Sequence, residues 1–268
     1  MQSTTRLSTP QSHRAAGVLL GQACGDALGV PYEFSTPPGV GDLAVMRGGG
    51  LGPYAPGEWS DDTQMAICIA SVAATGIDLT SHDALDQIAD AFLGWASKGA
   101  TDIGNQTRAV LSAARNSQGP LAQRMRQAAF AYAERTPHSA GNGALMRTSI
   151  VGLAALDDRD KTAAAARGIA ELTHGDPLAG DSCVIWCEAI RVAVMEGRFD
   201  ARAGVDLVPA ERRDQWASWL DEAEARPPGF FSSNGFTVTA LQAAWSAILH
   251  TPVPDEDPWV RAVIATPG

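Results

Sequence analysis

Two adjacent carboxylates stand in the segment Gly57-Glu58-Trp59-Ser60-Asp61-Asp62-Thr63. With the hydroxyls on either side, Asp61 and Asp62 present hard oxygen donors, the ligand type that Mg2+ and Ca2+ prefer. The same residues also read as a plain helix start, with Ser60 at the N-cap and two acids in the first turn, where they match the helix dipole. A second acidic stretch is Gly25-Asp26-Ala27-Leu28-Gly29-Val30-Pro31-Tyr32-Glu33-Phe34. It puts Asp26 in an otherwise apolar helix end and Glu33 between two aromatic residues. A carboxylate so placed is a candidate for positioning a substrate or water, or else a surface glutamate beside two half-buried rings.

Three polar turns complete the set. Thr101-Asp102-Ile103-Gly104-Asn105 carries Asp102, which could cap the helix that follows. Gly141-Asn142-Gly143-Ala144-Leu145-Met146-Arg147 is a glycine-bracketed helix start. Its backbone N–H groups could cradle a phosphate or carboxylate, with Arg147 as a fixed cation, although Gly-Asn-Gly is also an ordinary turn. Thr173-His174-Gly175-Asp176-Pro177 joins two helices, with His174 as a C-terminal cap, a metal-shell residue, or a ribose or base contact.

The elements that must position these residues are helices. Gly17, Gly21, Gly25 and Gly29 recur every four residues on one face of a helix over about 12–30. Each glycine costs about 1 kcal/mol against alanine, so the stripe implies close approach, by a packed helix for most of its length or by a ligand. Residues 35–58, with Gly48-Gly49-Gly50 and Pro53-Tyr54-Ala55-Pro56-Gly57, read as a long functional loop. Further helices are expected at about 61–74, 81–98, 104–116, 119–135, 142–156, 159–174, 178–197, 209–225, 237–249 and 256–265. Thr80, Asn142, Asp158 and Asp176 are candidate starts, and 236–240 is the one credible short strand. The expected organisation is a tail over residues 1–11 and one all-α domain over 12–268.

Composition bounds the function. The 268 residues suffice for a buried core, and a formal charge of -10 argues against a broad nucleic-acid surface. No stretch approaches the roughly 18 unbroken apolar residues of a membrane span, and the polar start is no secretory signal. Cys24, Cys68, Cys183 and Cys187 form no C-x-x-C pair, and Cys183 and Cys187 read as free buried thiols on one helix face. A reducing, cytoplasmic location and a monomeric state are the expectations.

Taken in order, five segments resemble the ADP-ribosylglycohydrolase family. Gly25-Asp26-Ala27-Leu28-Gly29 with Pro31 and Glu33-Phe34 resembles its first block, and Trp59-Ser60-Asp61-Asp62-Thr63-Gln64-Met65 its metal-binding block. Asp102-Ile103-Gly104-Asn105 with Thr107 resembles the third. Gly141-Asn142-Gly143-Ala144 with Met146-Arg147, and Thr173-His174 with Asp176-Pro177, resemble the fourth and fifth. The resemblance implies an all-α orthogonal multi-helix bundle with two Mg2+ ions at the base of a cleft that binds ADP-ribose. It implies Ser60, Asp61 and Asp62 as metal ligands, and Glu33 beside the ribose or the attacking water. Asp102 would lie near the scissile bond or the metal shell. Gly141, Asn142, Gly143 and Ala144, with Met146 and His174, would contact substrate. The implied reaction is Mg-dependent hydrolysis of a ribosyl bond in an ADP-ribosylated protein or a small-molecule ADP-ribose conjugate. The alternative is a non-catalytic ADP-ribose binder or a structural, crystallin-like relative.

One departure bears on this choice. The family's final Asp-x-Asp-Thr or Asp-x-Asp-Ser block follows a helix like Pro258–Ile264, whereas this sequence reads Ala265-Thr266-Pro267-Gly268 there. Asp255, Glu256 and Asp257 read as caps of the last helix rather than as replacement ligands. Either the natural protein extends further, which is the reading adopted, or this member has lost part of its metal site. The expectation is weak Mg2+ binding and low activity.

Overall fold

Ser8 opens the first helix with a capping box: its backbone N–H donates to Gln11 Oε1 at 2.9 Å, and the Gln11 N–H donates back to Ser8 Oγ at 3.4 Å. The helix therefore begins at Thr9, a little ahead of the expected boundary. The structure, a computed structural model, describes residues 6–35, 38 and 42–251. The expected helix over 256–265, with Asp255, Glu256 and Asp257, lies outside the described residues, as do residues 1–5 of the expected tail.

The described α-helices are α1 (Thr9–Gly29), α2 (Asp61–Ala73), α3 (His82–Ser97), α4 (Asn105–Arg115), α5 (Leu121–Arg135), α6 (Arg159–Ala170), α7 (Pro177–Glu196), α8 (Ala210–Ala225) and α9 (Thr237–His250). Short 3-10 segments cover Val30–Tyr32, Asn142–Arg147, Ser149–Leu153, Ala201–Leu207 and Pro228–Phe230. Among the described residues there is no strand, only isolated bridges pairing Gly49 with Tyr54 and Gly141 with Phe236. The protein is an all-α single domain. None of its described helices is long and apolar enough to cross a membrane.

α7 is the hub. It packs against α1, α6, α9 and three of the 3-10 segments. It is buried on nearly every side, from Ala179 and Cys183 to Val192 and Val194, as an all-round apolar helix must be. Asp176 caps it through the Leu178 N–H, and Gly197 ends it in the left-handed conformation. Asp181, sealed inside α7, is held by Arg167 at 2.8 Å, Arg212 at 2.5 Å and Trp216 Nε1 at 3.2 Å. Cys183 and Cys187 are free and buried, as expected.

Several expectations are corrected. Residues 142–156 form two 3-10 pieces rather than one α-helix. Gly143 disfavours the α form. The start is also pinned to α9, because Asn142 N–H donates to Gly235 O and Thr237 N–H to Ala140 O. Residues 236–240 are not a strand: only Phe236 bridges, and α9 starts at Thr237. The β-branched Thr237 and Val238 are recruited by helical burial with Leu241, Gln242 and Trp245, a case of tertiary packing overriding propensity. Ser81 rather than Thr80 caps α3, and Gly141 rather than Asn142 precedes the 3-10 start. Asp158 does cap α6, through the Lys161 N–H. The segment Ala201–Leu207 was not anticipated as helical.

At Gly21, Gly25 and Gly29 the glycine stripe serves an open cavity rather than tight helix packing. A β-carbon at Gly21 or Gly25 would meet nothing within 4 Å, and Gly21, Gly25 and Gly29 border an open cavity. The loop after α1 does press close. At Gly50, with φ of +78°, a β-carbon would stand 2.2 Å from the Val30 carbonyl oxygen, so only glycine fits this backbone-to-backbone approach.

Candidate active site

α2 lacks a cap of its own. The Ser60 side chain caps nothing; its hydroxyl donates instead to Asp26 Oδ1 at 2.7 Å. Asp26, reaching across from α1, also accepts from the N–H groups of Ser60 and Thr63, each at 3.0 Å. One carboxylate thus serves as the N-cap of another helix and welds the end of α1 to the start of α2. Gln22, one turn earlier on α1, donates from Nε2 to the carbonyls of Met146 at 3.0 Å and Asp62 at 3.4 Å.

These contacts frame a cavity of about 610 Å3, within the size range of small-molecule sites. Asp26 lines it from the last turn of α1, Glu33 from just after the 3-10 segment Val30–Tyr32, Ser60, Asp61 and Asp62 from the start of α2, and Asp102 from the turn before α4. Gly141, Asn142, Gly143, Met146 and His174 line it as well. Residues far apart in sequence therefore meet on one surface.

The acids crowd each other. Burial pushes the Asp61 carboxyl up to about 7, with Asp102 and Glu33 adding to the shift. Asp62 is raised well above its ordinary value, again by burial first and then by Asp26 and Asp61. Glu33 is raised by burial, then by Asp102 and Asp26. The buried Tyr54 hydroxyl, which has no hydrogen-bond partner, is raised by burial and by the same acids. None of the ion pairs among the described residues involves Asp26, Glu33, Asp61, Asp62 or Asp102.

This donor chemistry suits a hard divalent cation: carboxylate and hydroxyl oxygens, no soft ligand, and uncompensated negative charge. The set is partial. Among the described residues no three His, Cys, Asp or Glu side chains gather closely enough to hold a metal ion.

Five expectations about individual residues change. Ala144 does not line the cavity; the 3-10 turn carries it into the apolar core beneath. Asp102 does not cap α4, whose N-cap is Gly104 without a side-chain bond. The Asn142 N–H is spent on Gly235 O, so it is not free to cradle a phosphate. Arg147 turns away from the cavity, fully buried, with its guanidinium 4.5 Å from the centre of the Phe92 ring. His174 is no helix cap either: its Nδ1 lies 2.8 Å from Thr173 Oγ1.

Sequence reasoning missed Gln22, Leu51, Tyr54 and Gln106. The first two and Gln106 line the cavity, while the Tyr54 hydroxyl feels the charge of Asp61, Asp102, Asp26 and Glu33. Gln22 alone carried a local signal, standing one helical turn before Asp26 on the same face.

A model of the ADP-ribosylglycohydrolase family matches residues 7–266. The chain belongs to the ADP-ribosylglycohydrolase family. Among curated relatives, it is 26% identical to the ADP-ribosylarginine hydrolase Tri1 of Serratia proteamaculans (strain 568) over 247 residues, which is 89% of this chain and 63% of that protein. It is 32% identical to the ADP-ribosyl-[dinitrogen reductase] glycohydrolase of Rhodospirillum rubrum over 187 residues, 66% of this chain and 57% of the relative. The chain thus spans less than two thirds of the length of these curated relatives. A solved structure described as an ADP-ribosylglycohydrolase-related protein complex superposes with a TM-score of 0.69, at 24% identity, over 97% of this chain and 82% of that one. That likeness shows the ADP-ribosylglycohydrolase fold, and all five sequence blocks of the family border the one cavity.

Proposed function

We propose that the cavity binds an ADP-ribose unit and that the protein hydrolyses the ribosyl bond of an ADP-ribosylated protein or small-molecule conjugate, releasing ADP-ribose. One observation carries this reading: five family blocks converge on a single cavity of about 610 Å3 whose carboxylates have no cationic partner among the described residues. The names of the relatives, with arginine and dinitrogen reductase as their modified groups, support a protein-linked substrate.

The chemistry assigns roles to this chain's side chains. Cleavage of a ribosyl bond passes through an oxocarbenium-like state, which carboxylates stabilise and to which they deliver activated water. Glu33, raised by burial and by Asp102, is a stronger base than a free glutamate and suits proton removal from water. Asp102 lines the same cavity and supplies negative charge near the ribose. Asn142, Met146 and His174 would contact the substrate from the same cavity. Mg2+, held by Ser60, Asp61 and Asp62, would supply positive charge against an anionic diphosphate and polarise the oxygens it grips.

The test is release of ADP-ribose from arginine-, serine- and nucleic-acid-linked substrates with Mg2+ present. Asp61→Ala and Asp62→Ala should reduce turnover at least a hundredfold, on the order of a lost oxygen-charge interaction in the transition state. Turnover unaffected by both substitutions would sink the metal assignment. Binding of ADP-ribose without turnover of any substrate would leave a binding protein.

A further inference from the structure

Arg147 is fully buried, and no carboxylate among the described residues pairs with it. Its Nη2 lies 2.6 Å from Thr173 Oγ1, and its charge rests over the Phe92 ring at 4.5 Å. Thr173 Oγ1 in turn lies 2.8 Å from His174 Nδ1. The proton positions follow by elimination. A guanidinium only donates, so Thr173 Oγ1 must accept from Arg147. Thr173 is sealed from solvent, so its one hydroxyl hydrogen has no water to meet. His174 Nδ1 is the acceptor within reach. If Nδ1 carried the ring proton instead, the threonine hydrogen would be buried without a partner, which is costly.

We propose that Arg147 and Thr173 are positioning residues that hold His174 in its Nε2–H form and aim that one N–H at an acceptor oxygen of the ligand. The ring borders the cavity, and Nε2 lies 3.4 Å and 3.1 Å from where β-carbons of Gly141 and Gly143 would stand, so those glycines clear its approach. Burial, with the Arg147 charge adding to it, holds the His174 pKa down at about 3, so the ring stays neutral in use. A neutral, single-tautomer imidazole is a fixed donor rather than a proton carrier. The His174 N–H therefore favours an acceptor such as a phosphate or ribose oxygen and offers nothing to a ligand group that can only donate. The inference deepens the ADP-ribose reading and rests on it for the identity of the acceptor, but the tautomer stands apart from it.

The test uses the full chain labelled with 15N, with His174→Gln to assign the ring resonances. Long-range proton–nitrogen spectra of the ligand-free protein should show Nδ1 in the unprotonated range and Nε2 in the protonated range. Thr173→Val should give mixed tautomers and an about tenfold rise in the Kd for ADP-ribose, and Thr173→Ser should restore both. Thermal midpoints of the variants show whether each is folded, and the serine variant keeps the test open if valine unfolds the protein. A protonated Nδ1 in the wild-type spectrum, or a tautomer unchanged in a folded Thr173→Val, would overturn the relay. The expected tautomer without any ADP-ribose binding would uphold the relay and remove the ligand reading instead.

Discussion

At Gly143 a β-carbon would stand 3.0 Å from His174 Cε1 and 3.1 Å from Nε2. His174 borders the cavity but is otherwise buried, and it is tied to Thr173, so the ring cannot swing aside without breaking that bond. Gly143→Ala should therefore weaken ADP-ribose binding about tenfold or more, matching an overpacking strain of about 1–3 kcal/mol, as measured by calorimetric titration. Unchanged affinity would show that the wall yields. The residue types at this scale were legible: Glu33, Asp61, Asp62, Asp102, Gly141, Gly143 and His174 stood out by chemistry and order. Their orientations were not. Ala144 and Arg147 sit in the same short segment as Gly143 yet are buried, because residues three apart eclipse in a 3-10 turn, which puts 144 and 147 on one face and the cavity-lining 143 and 146 on another.

At the scale of elements, the joint between α1 and α2 decides where the acids point. Asp26 satisfies three donors at the start of α2, two of them backbone N–H groups with no other cap. Asp26→Ala should destabilise the fold by about 2–3 kcal/mol, since hydrogen bonds to a charged acceptor are lost and buried donors are left unmet. A lower urea midpoint measures this, and a midpoint equal to wild type would show that the joint does not hold α2. Sequence patterning placed both helices well, because apolar spacing and turn residues are local signals. It assigned Ser60 the capping role, because a bond spanning 34 residues leaves no local trace. For the same reason the β-branched start of α9 read as a strand until its partners in the core were known.

On the whole-molecule scale, the net charge of -10 includes five carboxylates that line the cavity, where none of the described lining residues is Lys or Arg. An anionic ligand should then bind only with a counter-cation. ADP-ribose with Mg2+, at about a hundredfold above Kd, should stabilise the fold by about 2.7 kcal/mol, seen as a rise of several degrees in thermal midpoint. EDTA should abolish the rise, and Mg2+ alone should titrate weakly, given only two adjacent carboxylates and one hydroxyl in the proposed set. Equal stabilisation with and without Mg2+ would sink this electrostatic account, and two tight Mg2+ sites would sink the weak-binding expectation. The sequence by itself determined the all-α class, the approximate helices, the family and the chemical types at the cavity, because periodicity and motif order are written along the chain. Only the tertiary structure decided that Gly21, Gly25 and Gly29 of the stripe border the cavity, that Asp26 caps a helix not its own, and that Arg147 is spent inside on Thr173. Those are facts of which side chains meet, and contacts between distant residues are set by packing rather than by spacing.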